Sequence, residues 1–330
     1  MARIPNRGVA FTLLLGALVL PAGACAQQGA ATGATAAAQA SPIDRDRLIA
    51  DLRDLSADSM EGRATGTPGS EKARRFLDRA FAATGLEPVG DGFRHPFEIR
   101  RENGAVTGVN FVGRLAGEDP ARVIVVTAHY DHVGVRDGEV FNGADDNASG
   151  TAALLAMARA LAGTTPDHTI LFVATDAEEG GLRGARAFVA DPPVDRAAIR
   201  LNINLDMVSR NEQGELWVAG THHYPWLLPL VDSLAAAAPV TLRAGHDVPG
   251  TGSDDWTSAS DHGPFHAAGI PFLYFGVEDH ADYHRATDEF EKVEPDFYVR
   301  AVETVLAALR AADRRLAEVE PASRPGVNAP

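Results

Sequence analysis

Cysteine is almost missing: Cys25 is the single one in 330 residues, so no internal disulfide can staple the fold. Cations are also scarce, with 30 Lys and Arg against 45 Asp and Glu, and the formal charge of -15 argues against nucleic acid or an anionic membrane surface as partner. The apolar run Val9–Leu20 is too short for a comfortable transmembrane helix. No internal repeat is found, so no repeat architecture is implied. What is present, 45% apolar and 23% charged residues, suits a globular protein with a sizeable core.

Arg3 and Arg7, the apolar run and the small residues Pro21–Ala26 form the layout of a signal peptide over residues 1–26. Two processing routes fit it: cleavage after Ala24 or Ala26, or lipid attachment at Cys25. Either implies export to the periplasm or beyond, the second with a membrane anchor. Residues 27–42 are mostly Ala, Gly, Thr and Gln and cannot offset their ordering entropy by burial, which predicts a flexible leader. The globular domain is expected over 43–318, with a frayed tail at 319–330.

Hydrophobic patterning orders that domain. Pro42 opens a helix with Leu48, Leu52 and Leu55 on one face, and Glu71–Ala83 gives a second helix ending at Gly85. Between them MEGRATGTPGS is expected to be a turn-rich connector near a pocket rim. Two alternating strands are predicted between Phe93 and Arg114, joined at Asn103 and Gly104. Buried strands follow at Val123–Thr127, Ile170–Ala174, Leu201–Leu205 and Pro271–Val277, separated by helical patterns after Asn147, from Leu182 to Val189 and from Tyr224 to Ala238. A last helix starts at Pro295. This alternation predicts a single α/β doubly wound domain with a mixed, largely parallel central sheet flanked by helices.

The chemistry collects just after the buried strands, where open α/β sheets bind ligands. The first delivers His129, Asp131 and His132, then turns through glycines to Asp145 and Asp146; the next ends at Glu178 and Glu179, the third at Asp206, and the last leads to His284. Oxygen and imidazole donors without thiolate suit zinc, with manganese or cobalt allowed by the same logic. Five such groups exceed one catalytic zinc, whereas two metals about 3.5–4 Å apart sharing a carboxylate would use them all. Of the two glutamates, one can bind metal while its neighbour moves the proton of the hydrolytic water; the residue types leave open which. Asp131 and Asp288 are each placed to orient a histidine, His129 and His284. His168, His222, His223 and His246 are read as ordinary surface or core residues, and the triplet Asn147, Ala148, Ser149 as a metal loop rather than a glycosylation site.

The motifs HYDHVG, GADDNASG, DAEEGG, NLDM, SDHGPF and YHRATD, in that order, resemble the co-catalytic di-zinc exopeptidases, a family that holds bacterial leucyl aminopeptidases, glutamate carboxypeptidases and single-zinc glutaminyl cyclases. The resemblance spans about Leu55–Phe290 and extends to the loop MEGRATGTPGS. It implies two Zn2+ per chain, one held by His129 and Asp206, the other by Glu179 and His284, with Asp146 as the bridge. It further implies Glu178 as general base, Asp131 as orienter of His129, Tyr283 as a donor to the tetrahedral oxyanion, and Asp261 and His262 as pocket lining. The interval from Gly85 to Val123 leaves no room for the protease-associated domain that some relatives insert.

The leading expectation is hydrolysis of N-terminal residues from peptides with a free amine. A carboxypeptidase or dipeptidase would need a cationic clamp, for which Arg183, Arg210, Arg243 and Arg285 are the candidates. A glutaminyl cyclase would be expected to depart from GADDNASG and to carry Trp in place of Tyr283.

Overall fold

A computed structural model describes residues 41–101 and 104–319. The expectations for the signal peptide, for residues 27–40 of the leader, for the turn at Asn103 and for the tail beyond Val319 fall outside the described residues.

The strands are β1 (Glu87–Pro88), β2 (Arg94–Arg101), β3 (Gly104–Leu115), β4 (Asp119–His129), β5 (Gly134–Arg136), β6 (Glu139–Phe141), β7 (His168–Thr175), β8 (Ile199–Leu205), β9 (Glu215–Ala219), β10 (Thr241–Ala244) and β11 (Phe272–Gly276). The helices are α1 (Arg45–Leu55), α2 (Pro68–Ala82), α3 (Gly150–Leu161), α4 (Arg183–Ala190), α5 (Leu228–Ala235), α6 (His262–Ala267) and α7 (Pro295–Val319). Nine strands form one mixed sheet in the order β1-β3-β7-β4-β8-β11-β9-β10, with β2 paired to β3. Its centre, β7-β4-β8-β11, is parallel, and the flanking pairs β3·β7 and β11·β9 are antiparallel.

The period of two along β4 explains the layering. Ile124, Val126 and Ala128 enter a core shared with α1, α2, α3, α5 and α7, while Val123 and Val125 enter one shared with α4 and α6. Helices cover both faces, so the central strands are buried on both sides, and the polar Asn202 and Asn204 of β8 are paired there with Thr127 and Ser260. The parallel centre brings the carboxyl ends of β4, β7, β8 and β11 to one edge, and that edge carries the chemistry.

Several helix starts differ from the sequence reading. Asp44, not Pro42, caps α1, its carboxylate accepting the Arg47 N–H at 3.0 Å. The second helix begins at Pro68, three residues before Glu71, because Thr67 caps it and Pro68 suits the first turn. The expected helix Tyr224–Ala238 breaks into a 3-10 turn, Pro225–Leu227, and the shorter α5. Strands β5, β6, β9 and β10 were not anticipated: they are three to five residues long, and β10 buries only Leu242, too little to leave a periodic pattern.

Candidate metal centre

Each predicted donor sits where a strand gives way to a loop. His129 is the last residue of β4, Glu178 and Glu179 follow β7, Asp206 follows β8, and His284 lies in the loop after β11. Asp146 comes from the turn 144–149 that enters α3. Gly143 opens that turn at φ 53, and a Cβ there would stand 2.0 Å from the Asp146 carbonyl and 2.5 Å from the His132 ring. No other residue fits that approach. Ser149, not Asn147, stands at the N-cap of α3, and Asn147 acts from within the turn before it, its Oδ1 accepting the Gly150 N–H at 2.8 Å. It is fully buried, which removes it as a glycan acceptor.

Two donor groups share Asp146. His129, Asp146 and Asp206 offer ligand atoms that all lie within 4.8 Å of one another, and so do His132, Asp146 and Glu179. His129 Nε2 is 3.3 Å from Asp206 Oδ1 and 3.4 Å from Asp146 Oδ1. On the other side His284 Nε2 is 3.1 Å from Asp146 Oδ2 and 3.4 Å from Glu179 Oε2. The residues expected to bind two metals, His129, Asp146, Glu179, Asp206 and His284, are thus brought together.

His132, named with His129 at the strand end but given no role there, joins the second group. Its ring is fully buried, with Nδ1 2.7 Å from Glu179 Oε1. Despite that proximity neither His132 nitrogen nor Glu179 Oε1 has a hydrogen-bond partner. The atoms are close but misaligned for a hydrogen bond, so both stay unsatisfied. The signal was its placement three residues after His129 at the same strand end.

The electrostatics ask for a cation. Burial pushes the Glu178 carboxyl well above its ordinary range, and the Asp206 carboxyl is raised for the same reason. Burial opposes charge on His129, but the Asp206 and Glu178 carboxylates outweigh it and raise its pKa. Burial would also raise Asp146, yet His132, His284 and His129 hold it low. Without a metal this cluster must be balanced by protons and by the buried Arg63 guanidinium, and the unsatisfied atoms of His132 and Glu179 also leave room for a cation. The donor set, oxygen and imidazole in two buried groups, fits two zinc ions.

The supports differ in part from expectation. Asp131 does face His129, but its carboxylate is 3.7 Å from Nδ1, and its backbone carbonyl is nearer at 3.1 Å. Asp288 does not orient His284; its carboxylate accepts the backbone N–H groups of Asp145 and Asp146, because the loop folds it back beneath that turn. Asp145, next to the shared carboxylate, accepts the Ser209 N–H and hydroxyl and anchors the segment after Asp206. Asp261 and His262 do not line the pocket. Both are fully buried behind it, Asp261 bound by the Thr175 hydroxyl and His262 donating to the Trp256 carbonyl at 2.7 Å. Nor does MEGRATGTPGS reach the rim, for Arg63 from this segment is buried beneath the loops that carry the donors.

A cavity of about 410 Å³ opens over the donors. Leu182, Met207, Trp256, Tyr274 and Val277 form apolar parts of its wall, and Glu178, Asp279 and Tyr283 add polar groups. Tyr283 lies over His284 with ring centroids 3.9 Å apart, and burial raises its phenol above the ordinary value, so it stays protonated at neutral pH. Among the described residues no lysine or arginine lines the cavity.

A family model described as Peptidase family M28 matches residues 110–309. Aminopeptidase YwaD of Bacillus subtilis (strain 168) is 36% identical over 184 residues, covering 53% of this chain and 35% of that protein. The chain spans about a third to just over half of the length of the curated relatives it matches. Among solved structures, BSAP, a zinc aminopeptidase from Bacillus subtilis, superposes with a TM-score of 0.66 at 20% identity over 82% of this chain and 96% of that one. Porphyromonas gingivalis glutaminyl cyclase gives 0.68 at 20% identity over 82% and 99%. At such identity these likenesses establish the fold.

Proposed function

The chain belongs to peptidase family M28, and from that premise we propose that it is an exported metallo-exopeptidase that hydrolyses N-terminal residues from peptides at a two-zinc centre with Glu178 as general base. The observation that carries the choice of substrate end is the charge of the cavity. Its wall holds the carboxylates of Glu178 and Asp279 beyond the metal donors and, among the described residues, no cation. Such a wall attracts a free α-ammonium and repels a carboxylate. Three arginines that a carboxypeptidase would need are committed elsewhere: Arg210 to Asp282 at 2.7 Å, Arg243 to Glu215 at 2.6 Å, and Arg183 to the Gly180 carbonyl at 3.1 Å. Arg285 does not line the cavity.

In this reading His129, Asp146 and Asp206 hold one zinc, and Asp146, Glu179 and His284 the other, with His132 behind Glu179. When bound, the metals supply Lewis acidity at the scissile carbonyl and make water acidic enough to attack at neutral pH. Glu178 takes the proton of that water and returns it to the leaving amine. The Tyr283 hydroxyl donates to the developing oxyanion. The apolar wall packs the side chain of the residue removed.

The second reading, glutaminyl cyclase, draws on the fold shared with the Porphyromonas gingivalis enzyme. The two donor groups around Asp146 favour the two-metal peptidase over it. Export is supported by the amino-terminal pattern of Arg3, Arg7 and Val9–Leu20, and Cys25 offers a lipid anchor as the alternative end of processing.

The deciding experiment incubates the purified, zinc-loaded protein with a mixed peptide library, half of it N-acetylated, and identifies products by mass spectrometry. Loss of single residues from free amino termini alone is the expected result. Trimming at carboxyl termini, acetylated peptides included, would replace the reading with a carboxypeptidase, and ammonia loss from N-terminal Gln would replace it with a cyclase.

A further inference from the structure

The largest fully buried side chain among the described residues is a cation, Arg63, and it lies outside the stretch matched by the family model. A buried guanidinium is costly unless every donor is used. Here Nε donates to the Tyr130 carbonyl at 2.8 Å, Nη1 to the carbonyls of Leu55 and Asn142 at 2.6 Å each, and Nη2 to that of Gly143 at 3.0 Å. Tyr130 follows the metal donor His129, and Asn142 and Gly143 lead into the turn that presents Asp146. One planar fork therefore clamps the two ends of the loop between two donors.

The backbone is bent to place it there. Glu61, Gly62 and Arg63 have φ of 51, 61 and 54, a run of left-handed residues that is unfavourable for the two with side chains. A Cβ on Gly62 would stand 2.4 Å from the Phe141 carbonyl and 2.6 Å from that of Gly134, so the chain packs against the paired residues Gly134 and Phe141 of β5 and β6 with no room to spare. The same segment reaches the glutamate loop. Arg74 Nη2 binds Asp176 Oδ2 at 2.8 Å, and the Thr65 hydroxyl binds Asp176 Oδ1 at 2.6 Å. Asp176 Oδ2 also accepts the Tyr130 hydroxyl at 2.7 Å, which ties the β7 loop, two residues before Glu178, to the β4 loop.

We propose that residues 58–74 are a positioning device for the metal centre, in which Arg63 sets the separation of His129 from Asp146 and Arg74, with Thr65, sets the glutamate loop against both. The purpose rests on the peptidase reading, but the test does not use hydrolysis. Arg63 and Arg74 touch no substrate and no proposed metal; they act through the carbonyls and carboxylate they hold. Charge also enters, since the Arg63 guanidinium faces Asp146, Asp131, Asp288 and Glu179.

The full-length chain is stripped of metal and titrated with zinc against a chromophoric chelator, and its cobalt-loaded form is examined by visible absorption. Arg63→Lys keeps the charge but loses the fork, so zinc affinity should fall about 10-fold or more, as when partners behind metal ligands are removed, with a changed cobalt spectrum. Leu306→Ala, in the core contact of α7 far along the chain, should lower stability to urea while leaving zinc affinity and the cobalt spectrum as in the wild type. If Arg63→Lys behaves like Leu306→Ala, its role is structural only and the proposal is overturned. Should Arg63→Lys fail to fold, Thr65→Val removes one hydroxyl and no charge, and unaltered zinc binding in that variant would overturn the proposal equally. A wild-type protein that binds zinc but cleaves no peptide would sink the peptidase reading and leave this comparison intact.

Discussion

The carboxylate of Asp131 accepts the backbone N–H of Glu178 at 3.0 Å. This bond joins the loop after β4 to the loop after β7 and holds the proposed base in place, while the Asp131 carbonyl, 3.1 Å from Nδ1, faces the His129 ring. One residue thus serves a metal donor with its main chain and the base with its side chain. Asp131→Ala should therefore lower kcat more than it lowers zinc content, by about 10- to 100-fold. Steady-state kinetics beside metal analysis check this, and equal losses in both would show that Asp131 serves His129 alone.

Glu178→Gln keeps size and backbone and removes the group that moves the proton. Zinc content should stay at the wild-type level while kcat drops about 10²- to 10⁴-fold, the range of a general base. A variant that turns over at the wild-type rate would remove Glu178 from the chemistry.

Asp146 belongs to both donor groups, so Asp146→Ala should lose both metals, whereas Asp206→Ala and His284→Ala should each retain about one equivalent. His132 sharpens the test. Its ring is sealed away while the His284 side chain is 44% exposed toward the cavity. If His284 is the ligand and His132 only backs Glu179, His132→Phe keeps two zinc equivalents and His284→Ala does not; the reverse outcome would exchange their roles.

Removing metal should also loosen the fold. Asp146, Glu179 and Asp206 converge within two small groups, and protons and the buried Arg63 guanidinium must offset them when zinc is stripped. Zinc at about 100 times its Kd adds about 2.7 kcal/mol per site by mass action. Thermal unfolding in chelator against excess zinc measures it, and an unchanged Tm would mean that the described groups bind no ion.

Much of this was legible in the sequence because His129 and the Glu178, Glu179 pair follow the runs VIVV and ILFVA, buried on both faces and therefore unmistakable. Of the two groups around Asp146, one holds the expected His129 and Asp206, whereas the other sets Glu179 beside His132. What stayed hidden depended on approach between distant segments. Nothing local distinguishes Asp145 from Asp146, and the contacts of Asp145 with Ser209 and His280 separate the anchor from the shared donor. Arg63 lay within a segment read only as a turn-rich connector, since burial of a guanidinium depends on the four carbonyls that other segments bring to it. Strands β9 and β10 escaped because so short an element is held by its neighbours more than by its own pattern.

His262 gives a prediction about stability alone. Burial pushes its imidazole down to about 3 from the ordinary 6.5. Its Nε2–H is held by the Trp256 carbonyl at 2.7 Å and its ring packs on Phe272 and Tyr274, so the folded state keeps it neutral. Below its ordinary pKa the unfolded chain binds a proton there that the folded chain does not. The stability it supports is therefore full above about pH 6.5 and is lost toward about pH 3, by up to about 1.4 kcal/mol per pH unit. His262→Phe cannot take that proton. At neutral pH it should be less stable than the wild type by about 1 kcal/mol for the lost hydrogen bond, and the gap should close or reverse on acidification. Urea unfolding of both metal-stripped proteins between about pH 7 and about pH 4.5 measures it, and curves that stay parallel would show that His262 titrates alike in the folded and unfolded chains.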